Sequence, residues 1–87
     1  MFSYFAQVAI CESVRETIKR ALVRSDDVEV RLKANFIADT DSILRVVSLS
    51  PGVDTEERLK DFIMKAILAG LRLTAIQREH LSLNDKS

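Results

Sequence analysis

Val28-Glu29-Val30-Arg31-Leu32-Lys33-Ala34-Asn35-Phe36 alternates apolar and polar residues without a break. A period of two is the signature of a β-strand with one face buried, and a strand is expected over residues 28–37. Its inward row is Val28, Val30, Leu32, Ala34 and Phe36, with Glu29, Arg31, Lys33 and Asn35 facing outward. Ala38-Asp39-Thr40-Asp41 supplies short polar side chains suited to a turn. Residues 42–49, enriched in β-branched Ile43, Val46 and Val47, read as the returning strand. Its buried face stays open, because Ile43, Val47 and Leu49 compete with Leu44 and Val46. The competing reading makes residues 28–49 a second long helix lined by Val28, Leu32, Phe36, Ile43 and Val47, and the chain a three-helix bundle. Asp39 would then share the apolar face while Val30 and Ile37 left it, which favours the hairpin.

The flanking segments have a helical period. Over residues 3–24, Tyr4, Val8, Cys11, Val14, Ile18 and Leu22 recur every three or four positions. Ser25-Asp26-Asp27 ends this helix. Ser50-Pro51-Gly52 is the strongest punctuation in the chain. Asp54 followed by Glu57 reads as a capping box for a second helix over residues 55–79, with residues 81–87 a polar tail. The expected fold is therefore α+β: a single α-β-β-α domain over residues 1–87, with two helices packed on a β-hairpin.

The second helix is apolar nearly all round between Phe62 and Ile76. Full-circumference apolarity implies burial on both sides. The interface of a homodimer or higher oligomer is expected mainly there, through Phe62, Ile63, Ala66, Ile67, Ala69, Gly70, Leu71 and Leu73. Gly70 costs about 1 kcal/mol relative to alanine inside a helix, so a close crossing is expected at that point. A chain of 87 residues that is 47% hydrophobic has little interior in which to hide its apolar side chains. Self-association follows as an expectation.

Acidic and basic residues balance at 13 each, for a formal net charge of +0. They also balance within residues 1–27, 28–50 and 51–87, so no basic arm steers the chain toward nucleic acid or an anionic membrane. Arg31, Lys33 and Asn35, joined by Arg45 from the second strand, form the one basic face a hairpin would offer to nucleic acid. Glu29 shares that row and no aromatic residue is there to stack a base, so a solvated face is the favoured reading and nucleic-acid contact the lesser one.

The single Cys11 cannot form an intrachain disulfide and fits a reducing compartment. The apolar start lacks a basic n-region and meets Glu12 at once, so it reads as structure and not as a signal peptide. No uncharged run approaches the roughly 20 residues needed to span a bilayer. The cytoplasm is the expected location.

Catalytic chemistry has little to stand on. Gly52 and Gly70 make no phosphate loop, and one His and one Cys do not build the common zinc site. Cys11 lies on the apolar stripe with no base beside it, His80 reads as a helix-end residue, and Asp39 and Asp41 read as turn residues. No cofactor and no metal is expected. The reading is a small non-enzymatic oligomeric module that binds an unidentified protein. A nucleic-acid-binding regulator, or a small enzyme with a site built between subunits from Cys11, His80, Asp39 and Asp41, are the alternatives.

Overall fold

Five α-helices and no strand make up the described residues, 2–49, 52–81 and 83, of the computed structural model. α1 (Tyr4–Val23) starts at Ser3, whose hydroxyl accepts from the Ala6 amide at 3.1 Å. It buries Cys11, Val14, Ile18 and Leu22, a row at the helical spacing of three and four. Tyr4, at the head of that row, is exposed.

The hairpin does not exist. Residues 28–36 form α2 (Val28–Lys33) and a 3-10 turn (Ala34–Phe36), and residues 40–48 form α3 (Thr40–Ser48). Each begins at an aspartate. Asp27 accepts from the Glu29 amide at 2.9 Å and, more weakly, from that of Val30. Asp39 accepts from the Ser42 amide at 2.7 Å. A carboxylate in this position satisfies amides that a new helix leaves unpaired, so the polar residues read as turns are helix starts.

The alternation itself has a second solution. At about 3.6 residues per turn, positions four apart share a face and positions two apart lie on opposite faces. The five apolar residues therefore split into two rows, Val30 with Ala34 and Val28 with Leu32 and Phe36. The chain buries the first row, continued by half-buried Ile37, and leaves the second in solvent. In α3 the buried residues are Ile43, Leu44 and Val47, one helical face, which removes the conflict between two strand faces. The helical alternative had the class right but not the continuity, since the chain breaks at 37–39 between α2 and α3.

α4 (Glu56–Leu71) is capped by Thr55, whose hydroxyl accepts from the Arg58 amide at 3.1 Å. Asp54 instead sits 3.7 Å from Arg58 as an exposed ion pair. Ser50 and Pro51 lie outside the described residues. Gly52 has φ 77°, a left-handed backbone that glycine adopts freely, and its carbonyl accepts from the Arg58 guanidinium at 3.0 Å.

The expected helix over 55–79 is two helices. α4 stops at Arg72, which has φ 53°, and α5 (Ala75–Glu79) starts from a capping box. The Thr74 hydroxyl accepts from the Gln77 amide at 3.1 Å, and the Gln77 side chain accepts from the Thr74 amide at 2.9 Å. A left-handed residue at the end of a helix turns the chain and satisfies its last carbonyls. Among the described residues no other element crosses Gly70: a methyl group there would meet no atom of another element within 4 Å. Of the expected polar tail, Leu81 and Leu83 rest half-buried on the core.

α1, α3 and α4 pack on one another and enclose the core, with Ile18, Leu22, Leu59, Ile63 and Ile67 among its most completely buried side chains. α2 and the 3-10 turn both lean on α1, with Val30 and Ala34 buried.

Candidate functional site

Tyr4, Phe5, Val23, Val46 and Leu49 are exposed apolar or aromatic side chains on other parts of the chain, and a further set lies along the outer side of α2 and its 3-10 turn. Val28 and Leu32 are each 58% exposed and Phe36 is 74% exposed. Val28 and Leu32 stand one helical turn apart on α2, and Phe36 follows four residues on, at the end of the 3-10 turn. Ile76 of α5 is 68% exposed as well, and it directly precedes Gln77, the residue that joins α5 to α2.

Polar ties at its margins fix how α2 lies. The Gln77 amide nitrogen donates to the Asp27 carboxylate at 3.1 Å and to that of Glu29 at 3.4 Å. The Lys33 ammonium donates to the Arg72 carbonyl at 3.0 Å, and the Arg31 guanidinium to the Ser25 carbonyl at 2.7 Å. Gln77 is the buried polar side chain among the described residues, and its nitrogen and its oxygen both have partners. The bond it gives holds the Asp27 carboxyl below its usual range, helped by the Glu29 and Val30 amides. The row is thus presented by a helix tied down at both ends.

The residues expected to gather on a hairpin are dispersed. Arg31 faces the loop after α1 and Lys33 the end of α4, while Asn35 lies beside Arg15 and Lys19 in a shallow groove. Arg45 lies on α3 with Tyr4, Asp41 and Ser48. Without the two strands no surface joins all four.

Of the residues expected to make an interface on the second helix, Ile63, Ile67, Leu71 and Leu73 are buried in the chain's own core. Phe62 and Ala66 are half-buried, and Ala69 and Gly70 are exposed. The four outer residues are the part of this set that a partner can reach.

The residues weighed for catalysis are each engaged in structural contacts. Cys11 is 0% exposed; burial pushes its thiol up, against a hydrogen bond with Thr40 and the nearby charge of Arg15. A protonated, enclosed thiol is no nucleophile. The Asp39 carboxyl is held low by its hydrogen bonds to Ser42. Asp41 instead accepts from the Tyr4 hydroxyl at 3.3 Å, and its charge raises the Tyr4 phenol. His80 caps α5 next to an open hollow with Arg24, Ser25, Asp26 and Asp27. Among the described residues no three His, Cys, Asp or Glu side chains are placed to hold a metal ion, and no helix is long and apolar enough to cross a membrane.

Two features lie outside the apolar pattern, Gln77 as the tie between α5 and α2 and the outward row of α2. The first has a sequence signal in the Thr74-x-x-Gln77 spacing. The second is contained in the alternation, once that is read as two helical rows. Comparison with protein-family models, curated proteins and solved structures finds no match.

Proposed function

We propose that this chain is a non-enzymatic protein-interaction module whose contact surface is the outer face of α2. The observation that carries the reading is the exposed row Val28, Leu32 and Phe36. Solvated apolar residues are ordinary when single, but a contiguous row rimmed by polar groups marks a contact surface. Glu29, Arg31 and Lys33 lie between its members in sequence and are hydrogen-bonded to Gln77, the Ser25 carbonyl and the Arg72 carbonyl. The balanced charge and the dispersal of Arg31, Lys33, Asn35 and Arg45 speak for protein over nucleic acid as the partner. A lone reduced Cys11 suits the cytoplasm.

The test is the pair of substitutions Leu32→Ser and Phe36→Ser. Together they should leave the melting temperature within a few degrees of the parent, because neither side chain enters the core. They should also abolish the chain's cross-linking to protein in its native host. Cross-linking unaffected by the pair, or a variant that no longer folds, would refute the assignment. Tight binding to DNA or RNA that weakens steeply with salt would replace it with the nucleic-acid reading.

A further inference from the structure

We propose that residues 73–81 form a strap that opens and closes on the rest of the chain as one unit, hinged at Arg72 and latched by the Gln77 side chain. This device is independent of whether the outer row of α2 meets a partner.

α5 grips the fold through one side chain. Gln77 is its buried residue, while Ala75, Ile76, Arg78 and Glu79 are exposed. No other helix packs against α5 as closely as α1, α3 and α4 pack on one another. Leu73 is buried just before it and Leu81 half-buried just after it. α4, by contrast, buries Leu59, Ile63, Ile67 and Leu71 in a continuous row. A segment held by few apolar contacts opens at a lower free energy than the core it rests on. A helix this short has no stability of its own, so α5 and the two leucines beside it leave and return together.

Gln77 is the latch because its amide closes two helix starts at once. Its oxygen accepts from the Thr74 amide at 2.9 Å, which completes the start of α5. Its nitrogen donates at 3.1 Å to Asp27, the residue that caps α2, and at 3.4 Å to Glu29. Turning outward exchanges these bonds for bonds to water, a small net change for each, so the latch is reversible.

Arg72 is the hinge. It has a left-handed φ of 53° without being glycine, a conformation unfavourable to a residue with a side chain. Its carbonyl accepts from the Lys33 ammonium at 3.0 Å. Both counterparts of the strap thus lie on α2, with Asp27 and Glu29 at its start and Lys33 at its end. Opening leaves α2 and the turn after it held on α1 with Val30 and Ala34, and uncovers the part of the core that Leu73 seals.

Native-state hydrogen exchange of the whole chain is the test. The amides of Gln77, Arg78, His80 and Leu81, all bonded within the strap, should exchange through one shared opening. Their protection should be similar to one another and roughly a hundredfold or more below that of Ile63 and Ile67 in α4. Gln77→Glu keeps an oxygen for the Thr74 amide, so the capping box survives, but sets a carboxylate against Asp27 and Glu29. It should lower the protection of the four strap amides together, by roughly tenfold, and leave Ile63 and Ile67 unchanged. Gln77→Met, which removes the amide without adding charge, should act in the same direction.

Strap amides as protected as those of α4 overturn the separate opening. Protection that falls steadily from Gln77 to Leu81 is the fraying of a helix end and overturns the single unit. A Gln77→Glu chain whose strap exchange is unchanged, or whose α4 loosens equally, overturns the latch.

Discussion

α2 and α4 use apolar residues in opposite ways. α4 is the greasier helix, yet Leu59, Ile63, Ile67 and Leu71 go into the interior and its outward side carries Glu56, Lys60, Asp61 and Lys65. Two ion pairs, Lys60 with Glu56 at 3.3 Å and Lys65 with Asp61 at 2.9 Å, run along that side. α2 with the 3-10 turn after it is short and charged, yet the pair exposes Val28, Leu32 and Phe36 and buries only Val30 and Ala34. Apolar content therefore does not show which helix meets a partner. What shows it is the apolar surface left over once the chain has filled its own core.

The comparison breaks most visibly in α4. Ile67→Ala should cost about 2–5 kcal/mol, the range for emptying a packed aliphatic site. At about 4–8 °C per kcal/mol for a domain of this size, the melting temperature falls by roughly 8–40 °C. Leu32→Ala in α2 should stay within roughly 0.5 kcal/mol of the parent. A matching loss at the two positions in a thermal or urea melt would erase the distinction.

The tie between α5 and α2 offers a smaller lever. Thr74→Ala removes a helix cap worth about 1 kcal/mol, and with it the fixed position of Gln77. Amide exchange in α2 should accelerate more than exchange in α4, as expected of a helix held by few core contacts. Equal acceleration in both would show that α2 does not depend on that tie.

Acid should loosen α2 and α3 through their caps. The Asp27 and Asp39 carboxyls both titrate lower in the folded chain than in the unfolded one. Their contribution is thus complete above the unfolded value of about 3.9 and is lost as pH falls through the lower folded values. Asparagine also caps helices, so Asp39→Asn should keep the fold at neutral pH and flatten this part of the acid dependence. An unchanged pH profile would remove the cap from the account.

Arg72 gives the smallest effect. Its left-handed backbone is uncomfortable for a side chain, and the carbonyl that accepts from Lys33 belongs to the main chain. Arg72→Gly keeps that bond and should stabilise by at most about 1 kcal/mol, seen as a slightly higher melting temperature.

These same elements show what could be read in the chain and what could not. The long helix at 3–24 was legible to within a residue, because one row of six positions repeats cleanly and Ser3 caps it. The stretch at 28–36 was not, since a two-residue alternation fits a strand with one face and a helix with two. What separates the two solutions is tertiary: whether Val28, Leu32 and Phe36 join Val30 and Ala34 inside. Asp27 and Asp39 were seen as polar punctuation, but the same side chains end one element and start the next. At 72–74 the break has no glycine or proline to announce it, and only the Thr74-x-x-Gln77 spacing marks the new start. The surface assigned here to binding was written in the sequence as part of a core.

Cross-linking in the native host, comparing the parent chain with Leu32→Ser/Phe36→Ser, tests the central claim most directly. The account predicts cross-linking to protein for the parent and none for the variant, which stays folded with the α1, α3 and α4 core intact. Equal cross-linking of the two, or a variant that unfolds, would contradict it.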